Sequence, residues 1–138
     1  MLVFATLLLF IAIASAKICN VTVPTSALVG ETIQATLQTQ AYIQHWDDFG
    51  VIWGLVRAEK ECIDCIGFDL GYNNLYNDGI YPLALGNMSY WITLPDTVPG
   101  KYLFTAAVPH LTGAYGSTGF TYLNQTIELV AATGNDVQ

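Results

Sequence analysis

The clearest pattern in the chain is an alternation of apolar or small residues with polar ones between positions 31 and 43. This period of two is typical of a β-strand that buries one face, whereas an amphipathic helix would carry apolar residues three and four positions apart. The pattern therefore predicts a long strand whose even-numbered side chains face solvent. The side chains predicted to face inward are Ile33, Ala35, Leu37, Thr39, Ala41 and Ile43.

Two further strands are predicted on either side of a sharp corner in the second half of the chain. Apolar side chains alternate from Met88 to Leu94 and again from Tyr102 to Val108, while Trp91 falls on the polar side of the first run. Residues 95–100 include two prolines and a glycine, which interrupt β-structure. Tyr102 follows this corner as in the tyrosine corner of immunoglobulin-like domains.

The remaining strands are shorter and are separated by turn residues. We predict them at Cys19–Pro24 (with Cys19, Val21 and Val23 inward), Phe49–Arg57, Ile66–Leu70, Tyr81–Leu85 and Tyr122–Ala131. Residues 44–48 are predicted to be a polar connection, and residues 111–119 a Gly/Ser/Thr loop. About seven short strands with no amphipathic helix predict an all-β fold, an immunoglobulin-like or fibronectin-like β-sandwich.

The amino-terminal segment has the features of a secretory signal. Residues 1–16 combine an apolar run, Leu2–Ala14, with the small-residue ending Ala14-Ser15-Ala16. The run is shorter than the ~20 residues that a membrane-spanning helix needs, so we predict a signal peptide that is cleaved after Ala16. The mature, secreted protein is then predicted to be a single domain, residues 17–138, without membrane insertion and with a frayed tail at 133–138.

Charge and residue types exclude several classes of function. Lys and Arg number 4 against 11 Asp and Glu, and the resulting net charge of −7 argues against nucleic acid as a partner. The sequence has no serine-nucleophile motif, and its carboxylates suggest no catalytic pair. His45, Asp47, Asp48 and His110 lack the spacing of a recognised metal site. The sequence thus predicts a protein that is not an enzyme and needs no cofactor or metal.

Three cysteines in a secreted chain leave one over after pairing. Cys62 and Cys65 are close together among polar residues, so a Cys62–Cys65 disulfide is the first choice, with Cys19 as the alternative partner of either. No helix is predicted behind these cysteines, as a thioredoxin-like redox site would require. We therefore assign them a structural role.

Three Asn-X-Ser/Thr sequons, at Asn20, Asn87 and Asn124, predict an N-linked glycoprotein. On the predicted strand registers, Asn20 and Asn124 point outward and Asn87 lies in a turn. All three positions are therefore compatible with glycan attachment.

Three pairs of segments, taken together, carry a family resemblance. They are Ile33–Thr39 with Tyr42–Gln44, Ile92–Pro95 with Val98–Gly100, and Ala106–Val108 with Leu111–Gly116. Their order and spacing resemble the fungal family of necrosis-inducing secreted proteins, over about residues 31–130. Residues 62–65 and the short tail depart from the family pattern.

The resemblance implies a virulence effector that suppresses plant pattern-triggered immunity by binding and inhibiting host immune receptor-like kinases. It implies no catalytic residues. Exposed aromatic or apolar residues in the predicted connections are the candidate partner contacts, namely Trp46, Leu111 and Tyr115. The sequence leaves open whether the secreted protein is translocated into the host cell, where kinase domains lie.

A secreted module that binds cell-wall carbohydrate is the alternative function. Trp46, Trp91 and Tyr115 are predicted to lie outside the core, and aromatic rings can stack on sugars. The partner would then be a polysaccharide rather than a protein. Retention on chitin, cellulose or glucan distinguishes this alternative from the effector function.

Overall fold

A computed structural model describes residues 15–75 and 85–132. Within these ranges the chain forms nine β-strands and one short 3₁₀ turn, Ala58–Lys60. The strands are β1 (Ser15–Thr22), β2 (Ser26–Leu28), β3 (Thr32–Tyr42), β4 (Trp46–Asp48), β5 (Gly50–Arg57), β6 (Phe68–Asn74), β7 (Asn87–Thr93), β8 (Gly100–Thr112) and β9 (Ser117–Val130). The strand predicted at Tyr81–Leu85, most of the predicted signal peptide and the predicted tail at 133–138 lie outside the described residues.

The strands form two sheets that pack face to face. The smaller sheet has the order β1-β3-β7, and the larger has the order β2-β9-β8-β5-β6 with β4 added to β8. All pairs are antiparallel except β2 with β9. The predicted all-β sandwich is confirmed, although the estimate of about seven strands missed the three-residue strands β2 and β4.

The core lies between the two sheets and is centred on Trp53 in β5. Its ring is fully buried and packs against Tyr90 from the smaller sheet and Phe104 from β8, with centroid separations of 5.8 and 5.7 Å. The indole Nε1 donates a 2.7 Å hydrogen bond to Asn73 Oδ1 in β6. Trp53 therefore contributes apolar burial without leaving its polar group unpaired.

Alternation predicts the buried face correctly along most of β3 but not at its end. Ile33, Ala35 and Leu37 are buried, whereas Ala41 and Ile43 are exposed. In the described chain, β7 pairs with β3 only as far as Gln38, so Ala41 lies where β3 is flanked by β1 alone.

The register of β1 also differs from the prediction. An irregularity between Ile18 and Asn20 shifts the pairing with β3, so that Ile18 and Val21 both face the core. Cys19, predicted to face inward, sits in this bulge and is only half-buried. A prediction that assumes strict alternation cannot account for such an inserted residue.

The segment 111–119, predicted to be a loop, is instead the tip of a long hairpin formed by β8 and β9. All 13 residues of β8 pair with β9, and only residues 113–116 form the turn. Gly113 and Gly116 adopt φ values of 73° and 66°, a region that favours glycine. Only four residues of this segment, 113–116, form a turn, and the residues on both sides belong to β-strands.

Tyr102 forms the predicted tyrosine corner. Its Oη donates a 2.6 Å hydrogen bond to the carbonyl of Val98, and the ring is buried at the start of β8. Thr97 Oγ1 lies 3.2 Å from the same Oη. These contacts fasten the corner that connects β7 of the smaller sheet to the start of β8 in the larger sheet.

We expect Tyr102→Phe to lower the free energy of unfolding by about 1 kcal/mol, because the Val98 carbonyl loses a partly buried hydrogen-bond donor. Urea unfolding of the variant and the wild type measures this change. Tyr115→Phe, on an exposed ring, is the matched control. A loss for Tyr102→Phe no larger than for the control would contradict the assignment.

Candidate functional site

Strand β4 brings the predicted contact residues to one end of the sandwich. Residues 46–48, predicted to be a connection, pair with β8 so that Trp46 lies opposite Thr112 and Asp47 opposite Leu111. Tyr115 stands in the turn that follows β8, and Gly113 N–H in the same turn donates to the carbonyl of His45. We call this the tip end of the molecule.

Trp46 is half-buried and closes the tip end of the core. Its ring stacks on His110 at a centroid distance of 4.0 Å and meets the ring of Tyr42 edge-on at 5.2 Å. The Nζ of Lys17 lies 3.9 Å from the same ring. Trp46 is thus held by aromatic and cation–π contacts within the protein, in contrast to the exposed position expected from the sequence.

The carboxylate of Asp48 links β4 to β1 and also holds the indole of Trp46. It is 1% exposed, its Oδ2 accepts from Ile18 N–H at 2.8 Å, and its Oδ1 accepts from Trp46 Nε1 at 2.8 Å. Burial raises the pKa of Asp48, while the two hydrogen bonds and the nearby His110 and Lys17 oppose the rise. The group therefore acts as a structural acceptor.

The other acidic and histidine side chains at the tip end form no metal centre. His45 Nε2 lies 2.8 Å from Asp47 Oδ2, on the solvent side of β4. Among the residues in the described ranges, no group of three or more His, Cys, Asp or Glu side chains is arranged to hold a metal ion.

Leu111 belongs to an apolar surface on the outside of the larger sheet. We call this surface the aromatic face and define it by the outward side chains Ile52, Tyr72, Leu111, Phe120 and Tyr122. The register places Tyr122, Ala107, Ile52 and Tyr72 in one row across β9, β8, β5 and β6. Phe120 and Tyr72 are 53% and 52% exposed, so much of this surface is open to solvent.

Small residues form part of the base of the aromatic face. Ala107, in the row, and Pro109, opposite Phe120, are buried. The ring of Tyr72 lies directly over Gly50, where a side chain would clash. The rings of Phe120 and Tyr122 are 6.1 Å apart. The surface is therefore built by the register of four strands.

Phe120, Tyr122 and Tyr72 are surface residues that the sequence did not single out. A continuous outward alternation along β9 was the available signal, and the turn-forming residues at 111–119 obscure where it begins. The outward residues are Thr118, Phe120, Tyr122, Asn124, Thr126 and Glu128.

A pocket of about 230 Å³ lies beside the aromatic face, away from the tip end. The segment that contains the disulfide folds over the outside of the larger sheet to form it, and Gly54 has no side chain where Ile66 lies against the strand. Cys62 is paired with Cys65, and Cys19 is a free, half-buried thiol. The pocket is lined by Val56, Glu61, Cys62, Ile63, Asp64, Cys65, Leu103, Thr105, Tyr122 and Asn124.

The three sequon asparagines are exposed. Asn20 and Asn87 lie on the outside of the smaller sheet, one on each side of Gln38. Asn20 Nδ2 donates a 2.9 Å hydrogen bond to Gln38 Oε1. Asn124 is on the larger sheet at the edge of the pocket, opposite Thr105.

Within residues 15–75 and 85–132, no helix is long and apolar enough to cross a membrane.

The model of the Nis1 family matches residues 14–128 of the chain. The chain belongs to this family. It is 26% identical over 117 residues to "Necrosis-inducing secreted protein 1" from Colletotrichum higginsianum, covering 84% of this chain and 80% of that protein. The protein of the same name from Colletotrichum orbiculare is 28% identical over 120 residues, covering 86% and 73%.

Among solved structures, the fold is similar to part of a β-glucosidase from Erythrobacter marinus. The TM-score is 0.52 at 10% sequence identity, and the match covers 85% of this chain. It covers only 16% of the β-glucosidase chain. At this identity the likeness concerns the sandwich fold alone.

Membership in the Nis1 family confirms the resemblance inferred from the sequence. The related Colletotrichum proteins are named as secreted, which supports secretion of this chain and a place among fungal effectors. Cleavage after Ala16, as predicted, would remove Ser15 and Ala16 from β1, together with the hydrogen bond from Trp46 N–H to Ser15 Oγ.

The raised pKa of Asp48 predicts a pH-dependent stability. The folded protein holds the Asp48 proton more tightly than the unfolded chain, whose carboxyl has the ordinary pKa of 3.8. The resulting stabilisation is full below that value and is lost as the pH rises through the folded-state pKa. The free energy of unfolding of the wild type minus that of Asp48→Asn should therefore fall as the pH rises above 3.8.

Urea unfolding at a series of pH values measures this difference. Asp48→Asn should also be less stable than the wild type near neutral pH, since its amide can accept only one of the two hydrogen bonds. Glu128→Gln, at an exposed position of β9, serves as the control. A difference for Asp48→Asn that increases with pH would show that burial does not dominate its pKa.

Proposed function

We propose that this Nis1-family protein suppresses plant pattern-triggered immunity by binding immune receptor-like kinases and inhibiting them without catalysis. Membership in the family is the observation that carries the proposal. Because the kinase domains of such receptors are cytoplasmic, the proposal also requires the secreted protein to enter the host cell.

The aromatic face is the proposed kinase-binding surface. Interfaces between proteins are enriched in aromatic residues at their centre, and a few such residues supply most of the binding energy. Phe120 and Tyr122 stand next to each other on the outer side of β9, and Leu111 on β8 lies diagonally across from Phe120. Their backbones are paired in the longest hairpin of the described chain, so binding would cost little ordering of the main chain.

The tip end extends this surface. Tyr115 is fully exposed in the turn between β8 and β9, and Ile43 is exposed in the neighbouring loop. The hydrogen bond from Gly113 N–H to the His45 carbonyl joins the two segments. A partner that covers Phe120 and Leu111 could therefore also contact these side chains.

The charge of the protein favours a basic partner surface. The net charge is −7, and Asp47 projects from β4 on the same side as Leu111. Complementary charge speeds association and orients the partners more than it adds affinity. Inhibition should accordingly weaken at high salt through slower binding.

Direct binding and kinase activity test the proposal. Purified protein starting at Lys17 should bind the kinase domain of a plant immune receptor-like kinase and inhibit it in a dose-dependent way. Phe120→Ala combined with Tyr122→Ala should weaken both effects by about tenfold or more, because both rings lie in the proposed contact.

Trp91→Ala is the matched control, because it removes an exposed aromatic ring from the opposite sheet. It should inhibit as the wild type does. If a folded wild-type protein neither binds nor inhibits such kinase domains, the proposed function is wrong. If the Phe120 and Tyr122 double variant inhibits normally while Trp91→Ala does not, the surface is wrongly assigned.

A further inference from the structure

The outside of the smaller sheet has a chemical character different from that of the aromatic face. From β3 it presents Thr32, Gln34 and Thr36, and from β7 it presents Ser89, Trp91 and Thr93. We call these six residues the Trp91 face. Every member other than the tryptophan is an uncharged amide or alcohol, although the chain as a whole carries a net charge of −7.

Trp91 is the centre of this face. Its side chain is 72% exposed on β7, the last strand of the smaller sheet among the described residues. Its cross-strand partner is Gln34, so an amide lies beside the indole ring. An exposed tryptophan loses the stabilisation that burial in the core would give, and its ring offers a large area for contact, which makes the position a candidate contact site.

Pairs of hydroxyl groups stand on both sides of Trp91. Thr32 Oγ1 and Thr93 Oγ1 are 2.9 Å apart, and Thr36 Oγ1 and Ser89 Oγ are 3.1 Å apart. Each pair is one rung away from Trp91, about 7 Å along the strands. A hydroxyl has one donor and two acceptor sites, so each pair keeps hydrogen-bonding capacity for a ligand.

We propose that the Trp91 face binds a neutral β-linked polysaccharide of the cell wall. The indole can stack on the apolar face of one sugar ring, while Gln34 and the two hydroxyl pairs bond to hydroxyls of that sugar and its neighbours. The absence of charge on the face, in an acidic protein, matches a neutral polymer and disfavours a polyanionic one.

The consequence is retention of the secreted protein at the wall. The Trp91 face and the aromatic face lie on the outer surfaces of opposite sheets, so a protein held on polysaccharide keeps the other surface free. This inference does not depend on the proposed kinase inhibition, since each uses different side chains and a different partner.

Co-sedimentation tests the inference with the secreted protein, before and after enzymatic removal of N-glycans. The insoluble probes are chitin, cellulose and β-1,3-glucan, and soluble polygalacturonate in an affinity gel is the acidic counterpart. At least one neutral polymer should retain the wild type, and polygalacturonate should not. Trp91→Ala should bind the polymer at least about tenfold more weakly than the wild type, and Gln34→Ala should show an intermediate affinity.

Phe120→Ala is the control, since it removes an exposed aromatic ring from the other sheet and should bind polysaccharide as the wild type does. Circular dichroism and thermal unfolding establish that each variant is folded. Failure of every neutral polymer to retain the wild type would overturn the inference. Equal retention of Trp91→Ala and wild type, or retention that follows Phe120, would do the same.

Comparing the protein with and without N-glycans tests whether its own sugars, rather than a polysaccharide, occupy the Trp91 face. If neutral polymers bind only after N-glycans are removed, the chain's own sugars at Asn20 and Asn87 cover the face, and the inference fails for the secreted form. Equal binding with and without glycans supports it.

Discussion

The backbone pairing of β8 with β9 is the constraint on which the rest of the structure depends. All 13 residues of β8 take part, and the same strand also pairs with β5 and β4. At one end of the hairpin, Tyr102 fastens the corner from the smaller sheet; at the other, His110 stacks on Trp46 and closes the core. Because the inward side of β8 supplies Phe104 against Trp53, its outward side is fixed as the base of the aromatic face.

A consequence of this arrangement is that the two outer surfaces differ in chemistry. The larger sheet has four long strands side by side, and small residues at its centre let aromatic rings from the flanking strands spread over them. In the described ranges the smaller sheet has three strands, and hydroxyl side chains pair across β3 and β7. An apolar surface suits a protein partner, whereas an uncharged polar surface with one exposed indole suits a sugar.

The sequence predicted the fold class and much of the core, because a period of two identifies which residues share a face. Ile33 to Leu37, Tyr90 to Leu94 and Tyr102 to Val108 are buried on the predicted sides. It did not predict β4, the bulge at Cys19 or the extent of the hairpin, since each depends on a partner strand distant in sequence. The aromatic face also depends on pairing between strands that are distant in sequence. Tyr72 and Tyr122 are 50 positions apart along the chain and share a row only through the registers of β5 and β8.

The positions of the sequons bear on which surfaces a secreted form would leave open. Asn20 and Asn87 are on the tip-end half of the smaller sheet, and Trp91 is four residues beyond Asn87, about 13 Å along the strand. Asn124 is on the larger sheet, on the side of Tyr122 that is away from Phe120 and the tip end. Trp91 and Phe120 each stand four residues from the nearest sequon on their own strand, whereas Ser89 and Tyr122 stand only two residues from one. Glycans at these sites would therefore border the Trp91 face and the aromatic face, and they approach each surface from one end only.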